Sequence, residues 1–356
     1  MGLISTVDAR ALFTKRLVGI QKDISVPTSF LRSFFKTETS NTKELSIEVQ
    51  RGFQRIAVDV LRGTGANRNT FSKSSEKIFV PPFYFEDFNL SELDIYDRIF
   101  TENGTIDAMV FSEWMKNVIG KLTEIIYKIE RAYELQCSQV LETGIVQLVN
   151  GTNIDYTRKA GSLVAYNAAH DFAINTVDPI KVLDAGAKFI RQSGKYSGTV
   201  FNVIMGELAF NAMVNNTLFK AKTDNRTLSL DVVRKELKES EGAIPQYELR
   251  GSFARFHVWT YPQVYDTKTA SNNPYISDKK VIMIPDNPNF VLGFGAVPKL
   301  MGKKADVGAG ISGQRGAYLV NEYLDEKLTA HVVDVKSAGL AIPVAVDQIY
   351  TVTVLN

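Results

Sequence analysis

Any chemistry this chain performs has to come from very few residues. It holds three histidines, His170, His257 and His331, and one cysteine, Cys137. No histidine falls in an H-E-x-x-H or C-x-x-C spacing that would bring several ligands to one metal ion. Gly310-Ile311-Ser312-Gly313 lacks the G-x-S-x-G spacing that puts a serine on a strained strand-to-helix turn. Gly194-Lys195 resembles the end of a Walker loop, but Phe189 stands at the first glycine and Tyr196 replaces the Mg²⁺-binding hydroxyl. One formal match to a dinucleotide fingerprint remains, Gly308-Ala309-Gly310-Ile311-Ser312-Gly313, with Asp334 further on. Dinucleotide binding needs a strand running into those glycines, so that a helix N-terminus meets the pyrophosphate. Here Gly302-Lys303-Lys304-Ala305-Asp306 reads as loop. Only about 40 residues follow, too few for the rest of a nucleotide-binding sheet. Carboxylate neighbours such as Glu86-Asp87 read as exposed-face charges. No catalytic, cofactor or metal site is expected, and an enzyme using residues 308–313 stands as an alternative.

The elements around these residues suggest a different purpose. With 356 residues and 45% hydrophobic content, the chain can build two or three domains around a sizeable core. The single cysteine excludes an intramolecular disulfide framework and fits a reducing compartment; Cys137 lies in an apolar helical context and reads as core filler. No run of about 18 apolar residues and no charged-then-apolar leader occurs, so neither a membrane partner nor secretion is indicated.

Residues 45–85 read as a long hairpin. Leu45, Ile47, Val49 and Phe53 alternate, the phase shifts to Ile56, Val58 and Val60, and the tip is Arg62-Gly63-Thr64-Gly65-Ala66-Asn67. A bulge near residues 52–55 explains the shift. The return arm, residues 73–85, carries Pro81-Pro82 and belongs on an edge. Such a ribbon is marginal alone in water and needs support.

A helix of about 35 residues is expected over 106–141, with Met115, Val118, Ile119, Leu122, Ile125, Ile126, Ile129, Tyr133 and Gln136 on one face. Lys116, Lys121, Glu124, Lys128 and Arg131 form a polar stripe left for solvent or a neighbour. Asn150-Gly151 marks a small hairpin, and Asp178-Pro179 caps a helix that ends at Gly194. Residues 199–205 read as a strand, 206–216 and 230–241 as helices, and 256–265, 281–284 and the chain's end as strands. Together these make an α+β domain.

The net charge of +2 gives no case for a dedicated nucleic-acid binder, but its distribution is uneven. Residues 1–36 carry Arg10, Lys15, Arg16, Lys22, Arg32 and Lys36 against Asp8 and Asp23. Residues 51–77 carry Arg51, Arg55, Arg62, Arg68, Lys73 and Lys77 against Asp59 and Glu76. Residues 83–107 are acidic, with Glu86, Asp87, Glu92, Asp94, Asp97, Glu102 and Asp107 opposed only by Arg98.

The order of parts and their local wording resemble the major capsid proteins of tailed bacteriophages, the lambda-type major capsid protein E family. The residues that carry this are Pro27-Thr28-Ser29-Phe30-Leu31-Arg32-Ser33-Phe34-Phe35, Glu76-Lys77-Ile78-Phe79-Val80-Pro81-Pro82, Val140-Leu141-Glu142-Thr143-Gly144, Asn153-Ile154-Asp155-Tyr156, Val203-Ile204-Met205-Gly206 and Ile342-Pro343. The resemblance implies an N-terminal arm over 1–44 and an extended hairpin loop over 45–86. It further implies a peripheral domain over 87–178 with its spine helix, an axial domain over 179–330, and C-terminal strands over 331–356 returning to the peripheral domain. It implies pentamers and hexamers in an icosahedral shell around packaged double-stranded DNA, with separate scaffolding and portal proteins and, in some shells, decoration proteins. The protein would reside in the virion after assembly in the host cytoplasm. A cellular encapsulin-like compartment shares the architecture and is the nearest alternative.

In that setting, Arg51, Arg55, Arg62, Arg68, Lys73 and Lys77 of one subunit are expected over Glu86, Asp87, Glu92, Asp94 and Asp97 of its neighbour. Phe53, Ile56, Phe79 and Phe83 would supply the buried contact, and charge would set register. Arg10, Lys15 and Arg16 are the expected non-specific contacts to DNA.

Overall fold

The structure, a computed structural model, describes residues 30–49, 75–91, 108–148, 152–223, 248–253, 255–267, 270–301, 310–314, 316–325 and 330–356. The helix expected over 230–241, the hairpin tip and its phase shift, and the turn at Asn150-Gly151 lie outside these residues.

A 3-10 turn, Leu31–Phe34, leads into β1 (Phe35–Thr39). β2 (Leu45–Val49) and β3 (Ser75–Phe79) pair antiparallel, with Leu45 opposite Phe79. The return arm stops there, shorter than its expected extent to residue 85. Pro81 and Pro82 have no N–H to donate, so the ladder ends before them, and β4 (Tyr84–Ser91) joins a different sheet.

Helix α1 (Ala108–Glu142) has 35 residues, about 50 Å at 1.5 Å per residue. Val118, Leu122, Ile126, Ile129, Tyr133, Cys137 and Val140 make its buried face, the stripe that three- and four-residue spacing dictates. Gly144 ends it at φ 78°, in the left-handed region that glycine enters without cost. Short strands β5 (Ile145–Gln147) and β6 (Asn153–Asp155) then pair antiparallel, and β7 (Leu163–Val164) follows.

Helix α2 (Pro179–Gln192) begins where the Asp178 side chain accepts a hydrogen bond from the Ile180 N–H. β8 (Phe201–Met205), α3 (Glu207–Asn215), α4 (Thr217–Thr223), β9 (Glu248–Phe253), β10 (Phe256–Thr260), β11 (Val264–Tyr265) and β12 (Asn273–Pro274) come next. The remainder is β13 (Lys280–Pro285), β14 (Phe290–Phe294), β15 (Val297–Met301), β16 (Gly310–Gln314), β17 (Leu319–Asp325), β18 (Ala330–Ser337), β19 (Gly339–Pro343) and β20 (Tyr350–Thr353).

A six-stranded sheet, in the order β7-β20-β13-β8-β10-β9, separates two cores. Period-two alternation along β8 sends Phe201, Val203 and Met205 to one face, where Leu183, Ala187 and Ile190 of α2 and Met213 of α3 cover them. Ile204, with Ile282 and Ile284 of β13, belongs to the other core. That core is built on α1 and the sheet β1-β14-β19, in which β1 runs parallel to β14 and β19 antiparallel. A third sheet, β17-β18-β4, lies along α1, with β4 on its edge.

Residues 30–39, within the expected N-terminal arm, are rooted in the α1 core, where Phe30, Leu31 and Phe35 are all buried. The chain's last strand, β20, sits in the six-stranded sheet between β7 and β13, while β18 and β19 pack beside α1.

Candidate subunit interface

Of the glycine fingerprint, Gly308 and Ala309 lie outside the described residues. Gly310 to Gln314 form β16, paired antiparallel with β15, so no helix N-terminus follows those glycines. Among the described residues no group of three or more His, Cys, Asp or Glu is placed to hold a metal ion, and none of the helices is long and apolar enough to cross a membrane. The surface that calls for explanation is apolar.

β4 alternates. Tyr84, Glu86 and Phe88 lean toward α1: the Tyr84 ring stands edge-on to Tyr133 at 5.3 Å, and the Gln136 amide donates to the Tyr84 hydroxyl at 2.7 Å. Lys128 Nζ lies 2.5 Å from the Glu86 carboxylate. The opposite face presents Phe83 and Phe85, each 50% exposed, with ring centroids 6.3 Å apart and the Lys336 ammonium over the Phe85 ring. On the adjoining stretch of chain Ile78 and Val80 are 59% and 51% exposed. Four of the eleven large exposed hydrophobics among the described residues thus fall in the run from β3 into β4.

These positions divide the expected interface residues. Phe83 is exposed as an interface residue must be. Phe79 is not: it is half-buried, with its ring 5.4 Å from that of Tyr156, and it belongs to the subunit's own packing. Glu86 is likewise engaged within its own chain by Lys128, which also takes Lys128 out of the free polar stripe. Asp87 remains exposed, directly opposite Asp334 on β18. Asp334 is buried, and Lys336 Nζ lies 2.6 Å from its carboxylate, offsetting the like-charge pairing. Lys77 stands in β3 opposite Ile47. Arg51, Phe53, Arg55, Ile56, Arg62, Arg68, Lys73, Glu92, Asp94 and Asp97 lie outside the described residues, as do Arg10, Lys15 and Arg16. Ile78, Val80, Phe85 and Lys336 were missed at the sequence level, although the alternation Phe83, Phe85 against Tyr84, Glu86 signals one covered and one open face.

What holds β4 and the arm root in place is a buried polar network on α1. Glu134 accepts the backbone N–H groups of Leu31 at 2.9 Å and Arg32 at 3.1 Å, and Tyr261 donates to it as well. The Arg32 guanidinium is ion-paired with Glu130, one turn earlier on the helix. Both carboxylates are raised above the usual range. Burial is the main cause, and for Glu130 the nearby Glu134 adds to it, pushing its pKa up to about 8. Phe30 completes the joint against Trp259 and Tyr261, each at 5.5 Å between centroids. Further along α1, Tyr133 hydrogen-bonds Ser337, and Gln136 accepts from the Ala341 N–H at 3.2 Å, tying the helix to β18 and β19.

A long helix clasped to the sheet β1-β14-β19 and a separate six-stranded sheet define the class. The fold is that of tailed-phage shell subunits: a crystallised protein described as a prophage capsid protein from E. coli CFT073 superposes with a TM-score of 0.64 at 12% identity, over 96% of this chain and 98% of that one. Two others, a phage-related protein from Bordetella bronchiseptica RB50 (0.49, 9% identity, 95% of each chain) and the mature capsid subunit of bacteriophage PhiM1 (0.48, 11%, 93% and 88%), score too low to bear on the fold. Residues 17–354 match the model of the phage major capsid protein E family, and the chain belongs to that family. Among curated proteins none matches it.

Proposed function

We propose that copies of this chain associate as pentamers and hexamers into an icosahedral shell around packaged double-stranded DNA, in the virion of a tailed phage. Family membership makes the chain a capsid shell protein. The observation that carries the assembly reading is the exposed run Ile78, Val80, Phe83 and Phe85 beside the edge strand β4. Exposed apolar side chains beside a sheet edge favour pairing with another chain. The occupant is the basic segment 51–73 of a neighbouring copy: Phe53 and Ile56 supply apolar contact, while Arg51, Arg55 and Arg62 meet Asp87 and the acidic run Glu92, Asp94 and Asp97. Exposed charge pairs are worth only about 0 to 1 kcal/mol each, so apolar contact supplies affinity and charge selects register. Scaffolding, portal and decoration functions fall to separate proteins. Imaging the high-mass fraction of the expressed chain by electron microscopy tests the reading: closed shells or capsomer rings are expected, and a compact monomer under every condition, scaffold included, overturns it.

A further inference from the structure

Helix α2 carries a cationic ridge that the assembly surface leaves unused. Its buried face is Val182, Leu183, Gly186, Ala187 and Ile190. Its outward face is Lys181, Ala185, Lys188, Arg191 and Gln192, all exposed, and exposed Lys195 extends the line past the helix end. The acids near it are already matched. Asp178 is buried and pairs with Lys222, which caps the ridge at the helix start. Asp184 pairs with Arg255 at 2.5 Å. Asp347 pairs at 2.9 Å with Lys159, whose Nζ also lies 3.5 Å from the carbonyl of Ser193 at the helix end. Lys181, Lys188 and Arg191 are therefore a surplus of positive charge on a ridge about 21 Å long, from the 14 residues of α2 at 1.5 Å per residue.

We infer that this ridge is a contact surface for the phosphate backbone of double-stranded nucleic acid. The inference rests on the shell reading for its partner, the packaged DNA, and places the α2 face toward the lumen. Duplex DNA carries a negative charge every 1.7 Å or so of its axis, so about twelve phosphates lie within the ridge's length. A protein partner fits poorly, because the outward face offers nothing larger than Ala185 as an apolar anchor, and protein interfaces draw their energy from such anchors. Charge alone suits a polyanion held by counterion release, without sequence preference.

Binding of a fluorescently labelled 30-base-pair duplex (about three helical turns) to the full-length chain, measured across a NaCl series, tests this. Each phosphate contact contributes about 0.9 to the slope of log K against log salt. The triple variant Lys181→Ala/Lys188→Ala/Arg191→Ala, all surface positions, is expected to bind more weakly with a slope shallower by about 2.7. Lys36→Ala/Lys121→Ala, which removes two exposed lysines elsewhere, serves as control and should retain the wild-type slope. An unchanged slope in the triple variant overturns the inference, as does loss of shells with DNA binding intact, which would assign the ridge to a protein contact. Shells viewed by electron microscopy in parallel separate the two readings: normal shells with an unaltered slope sink the ridge and leave the shell standing, and a shallower slope without shells from the wild type does the reverse.

Discussion

The carboxylate of Glu134 caps the backbone of Leu31 from 103 residues away, at 2.9 Å, inside the core. A buried 3-10 turn has N–H groups that nothing local can satisfy, and a helix carboxylate supplies the acceptor. The same side chain bonds the Arg32 N–H, while the Arg32 side chain reaches Glu130. Backbone and guanidinium of one residue thus grip two successive turns of α1, anchoring the chain just before β1.

Removing that grip is costly. Glu134→Ala leaves two buried N–H groups without an acceptor and Arg32 with one carboxylate fewer. A loss of about 3 to 5 kcal/mol is expected, the range for breaking a buried charged contact from one side. Glu134→Gln retains an acceptor oxygen and should lose less. Urea unfolding checks both, and a wild-type midpoint for the alanine variant would show that the clasp contributes nothing.

The same site gives stability a pH dependence. Glu130 and Glu134 face each other across one turn, Arg32 is the cation between them, and Tyr133, Cys137 and Tyr261 are neutral neighbours. One guanidinium balances one carboxylate, so the pair retains a proton, and it titrates as a unit. The folded value for Glu130 is about 8 against an ordinary 4.5. Between those values the folded chain holds a proton that the unfolded chain has released. The associated stability is therefore complete below about 4.5 and is lost as pH rises through 8, by at most about 1.4 kcal/mol per pH unit. Urea midpoints should fall between pH 6 and pH 8.5 in the wild type and flatten in Glu130→Gln. An identical slope in both would refute the assignment.

Sequence pattern exposes some of this and hides the rest for physical reasons. α1 was legible because a 35-residue apolar stripe at helical spacing has no other reading. The cap at Asp178-Pro179 was legible because its chemistry is local. Glu130 and Glu134 were not, since a charged residue on a helix defaults to solvent, and nothing local links position 134 to position 31. β1 pairs in parallel with β14, Phe35 opposite Phe290, and parallel partners so far apart share no turn signal. For the proposed interface, the charge contrast is a property of the sequence itself. Which aromatic faces inward could not, because Phe79 and Phe83 straddle Pro81-Pro82, and the phase of alternation does not carry across a break in the ladder.

Phe79 packs on Tyr156 while Phe83 is half exposed, so the two positions separate packing from the proposed docking. Phe83→Asp/Phe85→Asp changes side chains already half in water, so the subunit should melt within a few degrees of the wild type. If their exposed face is where a neighbour docks, no shells should form, because a carboxylate buried there without a partner costs more than the contact returns. Arg51→Glu/Arg55→Glu/Arg62→Glu should give the same result from the other side, a folded subunit that assembles poorly, since like charges then face Asp87 and its acidic neighbours. Phe79→Ala should act oppositely, costing about 2 kcal/mol of subunit stability through lost packing on Tyr156. Thermal melts and electron microscopy of all three variants resolve the matter. Normal shells from the Phe83/Phe85 variant, or from the arginine reversal, would remove the docking surface, and a fully stable Phe79→Ala subunit would return Phe79 to the interface.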